Sequence, residues 1–216
     1  MTDIQAVAFD KDGTLFDSER LYAESLVITC DKLGYTVTEK QREQFFGLAA
    51  ADTFALLAEV IGPAFDRDKM ITMWLNQRDK LIEEQGVAMM PGAEKMLRYC
   101  HEQGYPIALV TSDDHDGVLH DFGHADEDLF GLFSVVITVD NVSKPKPDPE
   151  PYLRAAAYLG VAPQNMLVVE DSIHGAEAAL AAGCPLAIYP STPLPDHISK
   201  KAIKILQRID DIEEFL

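Results

Sequence analysis

Cysteine is scarce in this chain. There are three in 216 residues, Cys30, Cys100 and Cys184, widely spaced and odd in number. They form no CxxC metal pattern and no disulfide framework, so a stapled secreted scaffold is excluded and a reducing, cytoplasmic home is expected. Long apolar runs are missing as well. Nothing approaches the roughly 18–20 uninterrupted apolar residues of a membrane span. The Met1-Thr2-Asp3-Ile4-Gln5 start has no basic segment, so no signal peptide is expected. Positive charge is the third shortage: 18 Lys and Arg against 36 Asp and Glu, a formal charge of −18. Binding to a nucleic-acid backbone relies on lysines and arginines neutralising phosphates, so nucleic acid is excluded as a partner. A small phosphorylated molecule is not, because one divalent cation and one lysine can reverse the potential inside a pocket. Neither GxxxxGK[ST] nor GxGxxG occurs, which removes the main support for a nucleotide-cradling kinase or a dehydrogenase. Repeats and low-complexity segments are also absent.

What is present is an ordinary globular composition, 47% hydrophobic and 25% charged, of a length that suits one large domain or a core with a smaller insertion. The N-terminal apolar strand Ala6-Val7-Ala8-Phe9 runs straight into Asp10-Lys11-Asp12-Gly13-Thr14. One Asp before a Gly would serve as a turn. Two carboxylates one residue apart repel each other unless a cation or a shared proton relieves them, so the pair predicts a metal, an acid/base pair, or both.

From about Ser18 to Gly86 apolar residues recur at helical spacing, punctuated by Gly34, Gly47 and Gly62-Pro63 into about four helices, and Ile71 to Gln85 reads as one more amphipathic helix. From Met90-Pro91-Gly92 onward the pattern alternates. A helix over Ala93 to Gln103 stops at Gly104. Strands are predicted at Pro106–Thr111, Val135–Val139, Met166–Glu170 and Leu186–Tyr189, with helices between. Near-continuous apolar strands separated by helices signify a parallel sheet covered on both faces. The chain therefore reads as an α/β core interrupted after its first strand by an all-helical insertion.

Ligands of open α/β sheets bind beyond the C-terminal strand ends. Here those ends carry Asp10 and Asp12, then Thr111-Ser112, then Lys144 within Ser143-Lys144-Pro145-Lys146-Pro147-Asp148, then Glu170-Asp171-Ser172. Such a set suits a hard divalent cation together with an anion. The segment from Asp113 to His124 is also rich in metal-capable side chains, with His120 and His124 at i,i+4 spacing. It lacks an HExxH glutamate and Gly123 is expected to break the helix, so it reads as a solvated acidic helix end.

Together the motifs DxDGT (Asp10 to Thr14), the hydroxyl at Thr111, the lysine segment at Ser143 to Asp148 and the acidic run Glu170 to Gly183 closely resemble the haloacid dehalogenase superfamily, in its helical-cap branch. The resemblance implies a Rossmann-like core over residues 1–17 and 88–216 and a helical cap over 18–87. It implies a Mg²⁺-dependent phosphatase of a small soluble phosphomonoester, with Asp10 as nucleophile and Asp12 as general acid and base. Mg²⁺ would be held by Asp10, the main-chain carbonyl of Asp12, and Asp171, with Glu170 binding directly or through water. Thr111, main-chain N–H groups including Ser112, and Lys144 would gather the phosphoryl oxygens. A monomer or weak dimer is expected.

Two positions depart from the family pattern. Ser143 stands where Gly is common. Lys11 replaces an apolar residue, either to contact an anionic substrate or, the preferred reading, to pair with a neighbouring carboxylate. The alternative activity is a phosphosugar mutase like β-phosphoglucomutase, but the cap position of the mutase histidine is Tyr22 here. The mutase also has an arginine in the cap loop that is missing from Gly47-Leu48-Ala49-Ala50-Ala51. That small apolar loop, around Phe46 to Thr53, favours a singly phosphorylated sugar, sugar acid or short acid over a bisphosphate. A catalytically silent binding module is the third reading, and it would be marked by loss of Asp10, Asp12 or Lys144, all of which are retained.

Overall fold

The computed structural model describes residues 3–41, 50–125 and 127–216. Residues 46–49 of the small apolar loop expected around Phe46 to Thr53 lie outside the described residues. The chain divides into two compact units, Met1–Asp17 with Ala88–Leu216, and Ser18–Val87.

The first unit is built on a six-stranded parallel sheet: β1 (Ala6–Phe9), β2 (Ile107–Val110), β3 (Val135–Ile137), β4 (Met166–Glu170), β5 (Leu186–Ile188) and β6 (Lys204–Ile205). The spatial order is β3-β2-β1-β4-β5-β6. Strands alternate their side chains between faces, so Ala6 and Ala8 join Ala108, Val110, Tyr152, Val168 and Ala179 in one core layer. Val7 and Phe9 face the other way and are also fully buried. Burial on both faces explains why these strands are apolar throughout rather than alternating. β6 is only two residues long, half exposed, at the sheet's edge, and carries no periodicity that a sequence reading could detect.

Among the described residues the α-helices of this unit are α4 (Ala93–Glu102), α5 (His115–Ala125), α6 (Glu127–Phe130), α7 (Glu150–Leu159), α8 (Ile173–Ala182) and α9 (Asp196–Ser199). α8 starts at Ser172, whose hydroxyl accepts the Gly175 N–H at 3.0 Å, and ends at the left-handed Gly183. α5 runs through Gly123 without a break. It buries Val118, Asp121 and Phe122, and the Phe122 ring packs edge-on against Phe16 at 4.9 Å. The expected solvated helix end is thus partly a core element, and its inward face carries a carboxylate.

The second unit contains α1 (Ser18–Lys32), α2 (Ala50–Ile61) and α3 (Arg67–Gln85) among the described residues. Asp66 caps α3 by accepting the Lys69 N–H, so the helix begins four residues before the apolar periodicity does. Leu26, Cys30, Phe54, Leu57 and Met70 form its core, with Trp74 against it. Among the described residues no helix is long and apolar enough to cross a membrane. The three cysteines are buried and unbridged, and burial pushes their thiols up, to about 11 for Cys30 and about 12 for Cys100 and Cys184.

Candidate active site

The chain goes from β1 outward to β2 and β3, then returns to β4 on the other side of β1. The crevice between β1 and β4, where the strand order reverses, is where ligands of such sheets bind. The register sets the strand ends side by side, with Phe9 opposite both Leu109 and Val169. Asp10, Val110 and Glu170 are therefore neighbours across three adjacent strands.

One side chain joins all three. The Lys146 ammonium donates to Asp10 Oδ1 at 2.6 Å, to Glu170 Oε1 at 2.7 Å and to the Val110 carbonyl at 2.9 Å, and its side chain is 5% exposed. Lys144, the lysine the motif reading selects, is elsewhere. Its side chain is 72% exposed and its nearest carboxylate is Asp148, at 3.8 Å. The structure corrects the assignment by two residues. The physical reason is the folding of the loop, in which Glu150, in the first turn of α7, accepts the Ser143 and Lys144 N–H groups at 3.0 and 2.9 Å. That holds the backbone of residues 143–144 against the start of α7 while the Lys144 side chain extends toward solvent and Lys146 turns inward. Two lysines in one proline-rich loop look alike in sequence, and the one signal favouring Lys146 is its nearness to the start of α7.

Carboxylate oxygens of Asp10, Glu170 and Asp171 lie within 4.8 Å of one another, and all three residues are buried. Glycines make this approach feasible. A Cβ on Gly13, which has φ +75°, would fall 2.3 Å from Asp171 Oδ2, and one on Gly175 would fall 1.7 Å from Glu170 Oε1. Asp171 is thereby packed against Gly13, the residue that follows Asp12. Glu170 is saturated: Oε1 accepts from Lys146 and Tyr152, and Oε2 from the Asp171 N–H, the Ser172 N–H and the Ser172 hydroxyl. Tyr152, fully buried on α7 with Lys146 Nζ 5.1 Å from its ring centre, is a site residue that sequence reasoning missed; an aromatic at a helix's buried face reads simply as core.

The electrostatics follow from burial and pairing. Burial raises the Asp10 carboxyl to about 7; Lys146 works against the rise and the Glu170 charge adds to it. Burial would raise Glu170 too, but Lys146, Tyr152 and the Ser172 N–H outweigh it and hold it below its usual value. Burial would lower Lys146, and its two carboxylates raise it instead.

The remaining expected residues flank this cluster. Asp12 has a side chain 30% exposed, and its carboxylate is not one of the three clustered. Thr111 directly follows β2, is buried, and its hydroxyl accepts the Asp113 N–H at 3.1 Å. Ser112 is exposed. Lys11 is fully buried and pairs with Asp113, Asp121 and Asp12, so of the two readings open for it the structure shows carboxylate pairing. Burial would lower its ammonium, and the three carboxylates raise it.

A family model described as haloacid dehalogenase-like hydrolase matches residues 4–183. The chain belongs to the haloacid dehalogenase-like hydrolase family. It is 31% identical over 203 residues to a phosphoglycolate phosphatase of Escherichia coli O157:H7, covering 85% of this chain and 80% of that protein. It is 29% identical over 180 residues to a phosphorylated carbohydrates phosphatase of Thermotoga maritima, covering 83% and 82%. Among solved structures, a Thermotoga maritima protein described as a candidate β-phosphoglucomutase superimposes with a TM-score of 0.80 at 26% identity, over 99% of this chain and all of that one. This chain is a haloacid dehalogenase-like hydrolase, and its Rossmann-like parallel sheet is the fold of that family.

Proposed function

We propose that this hydrolase is a Mg²⁺-dependent phosphatase of a small, singly phosphorylated metabolite, a sugar phosphate, sugar-acid phosphate or phosphoglycolate. The observation that carries the reading is the buried cluster of Asp10, Lys146, Glu170 and Asp171 at the switch point of the sheet. Its donors are all carboxylate oxygens, the chemistry of a hard divalent cation. Asp12 Oδ1 and Thr14 Oγ1 are buried without hydrogen-bond partners, which fits a site completed by a ligand. Asp10, Asp171 and the Asp12 carbonyl are the direct holders we assign. The saturation of Glu170 supports its acting through water. Bound Mg²⁺ would supply charge neutralisation at the phosphoryl group and favour the ionised form of Asp10.

In the first step an Asp10 carboxylate oxygen forms a bond to phosphorus as the bond to the leaving oxygen breaks, and that oxygen takes a proton from Asp12. In the second step water attacks the aspartyl-phosphate, its proton passes to the Asp12 carboxylate, and the bond from phosphorus to Asp10 breaks. Lys146, Thr111 and N–H groups near Ser112 gather the phosphoryl oxygens. Replacing Lys144 by Lys146 in this role keeps the expected chemistry and changes only the residue that performs it.

The likeness to a candidate phosphoglucomutase favours a mutase as second reading. Against it, Tyr22 is built into the packing of its own unit. Its hydroxyl accepts from Arg78 at 2.9 Å, its carbonyl accepts from Trp74, and it offers no imidazole. Water as acceptor is therefore preferred. The test is purified protein with Mg²⁺ or with EDTA against a panel of phosphorylated metabolites and p-nitrophenyl phosphate. Metal-dependent phosphate release, abolished in Asp10→Asn, is expected. Failure on every substrate, or turnover retained in Asp10→Asn, would overturn the assignment.

A further inference from the structure

Lys11 stands between the two aspartates of the first motif and takes no part in either chemical step. Its ammonium donates to Asp113 Oδ2 at 2.7 Å and to Asp121 Oδ2, and lies 3.5 Å from Asp12 Oδ2. Asp113 belongs to the segment after β2, two residues beyond Thr111, and Asp121 to the buried face of α5. One buried cation thus ties the segment after β1 to the segment after β2 and to a helix beneath both.

The backbone at this point is already fixed. The Lys11 carbonyl accepts the Leu15 and Phe16 N–H groups, and the Gly13 N–H bonds the Phe16 carbonyl. What stays free is the torsion of the Asp12 side chain. Among the described residues Lys11 is the side chain that engages Asp12, facing Oδ2, while Oδ1 is buried with no hydrogen-bond partner. A lysine that merely neutralised Asp121 would have no need to face Asp12. One locked from two sides presents its charge at a fixed point and leaves one oxygen of Asp12 for the reaction.

We propose that Lys11 is a positioning residue for proton transfer: held by Asp113 and Asp121, it sets the Asp12 carboxyl in the rotamer that serves the leaving oxygen, and so decides how poor a leaving group the enzyme can expel. This rests on Asp12 acting as general acid. The functional consequence concerns substrate class. Alkyl phosphates, whose alcohols leave badly without a proton, depend on Lys11. An aryl phosphate, whose phenolate departs unaided, does not.

The test is kcat/KM for the best alkyl substrate of the metabolite panel and for p-nitrophenyl phosphate, in Lys11→Met/Asp121→Asn. That double variant removes both members of the most buried pair and leaves neither charge stranded. Asp12→Asn serves as reference. The double variant should lose about 10²-fold on the alkyl substrate, the scale of general-acid catalysis. It should lose less than about threefold on the aryl one, since that step does not use the acid. Asp113→Asn, which loosens one of the two locks and keeps the buried pair, should show the same bias more weakly and carries the test if the double variant does not fold. Equal losses on both substrates, or no loss, in variants that melt cooperatively would overturn the role of Lys11. If Asp12→Asn itself shows no leaving-group bias, the general-acid assignment fails, and the positioning role with it.

Discussion

Lys146→Met compared with Lys144→Met separates the two candidate lysines by stability as well as by rate. Methionine keeps most of the stem and removes the charge. Without Lys146, Asp10 and Glu170 remain as buried carboxylates with oxygens within 4.8 Å and no cation between them. At an effective dielectric of ~20, two full charges at that separation would repel by about 3.5 kcal/mol, a cost that Asp10, already raised to about 7 with Lys146 present, relieves in part by taking up a proton. Breaking one side of a buried ion pair costs ~3–5 kcal/mol by general experience, the same physics counted another way. For a chain of this size, ~2–4 °C per kcal/mol translates that into a melting point lower by roughly 6–20 °C in EDTA. The loss should shrink when Mg²⁺ is added, because a divalent cation restores part of the missing positive charge. Turnover should fall by about 10²–10³-fold, the loss seen when one preorganised donor to a developing charge is removed. Lys144→Met should melt and turn over with the parent, since its exposed pair with Asp148 is worth ~0–1 kcal/mol. Differential scanning fluorimetry with and without EDTA, followed by steady-state kinetics, reads both. A Lys146→Met protein as stable and active as the parent, with Lys144→Met impaired, would refute the assignment.

Three further outcomes are expected. Gly175→Ala should destabilise by ~1–3 kcal/mol, the usual range for overpacking, because the new methyl overlaps Glu170 and the carboxylate must leave its hydrogen bonds; an unchanged urea midpoint would contradict the close approach. Tyr152→Phe removes a 2.7 Å donor from buried Glu170 and should cost about 1.5–3 kcal/mol by chemical denaturation, with equal stability as the contrary result. Burial raises Asp10 from 3.8 to about 7, so across that window the metal-free folded state keeps a proton the unfolded chain has lost, and this group makes stability fall as pH rises. The same proton competes with a cation. Stabilisation by Mg²⁺, followed by melting at pH 5 to 8, should therefore grow with pH and level off above about 7.5, and a shift that does not change with pH would contradict it.

The parts of the fold that read well from sequence are those with local causes. β1 and β4 are continuous apolar runs ended by acid, and their bounds coincide with the expected ones. β2, β3 and β5 lie inside the predicted stretches, shortened where the ladder stops. α3 begins earlier than its apolar periodicity because the Asp66 cap and not a buried face starts it. Asp121 went unnoticed in an acidic, histidine-rich segment, although Val118 and Phe122 at i,i+4 spacing placed it on the buried face.

By itself, the sequence determined the parallel α/β core, the acids at its strand ends and the general class of chemistry. It could do so because a strand, its direction and the residue that follows it are neighbours in the chain. The tertiary structure alone decided which lysine reaches Asp10 and which distant carboxylates Lys11 meets. Lys146 is 136 residues from Asp10 and Lys11 is 110 residues from Asp121. Pairings at that range depend on how loops and helices are laid over the sheet. For a buried ammonium the fold selects the one position where carboxylates and carbonyls replace the water it gives up. Two lysines two residues apart are equivalent as letters. One of them exchanges water for two carboxylates and a carbonyl, and only the packed structure shows which.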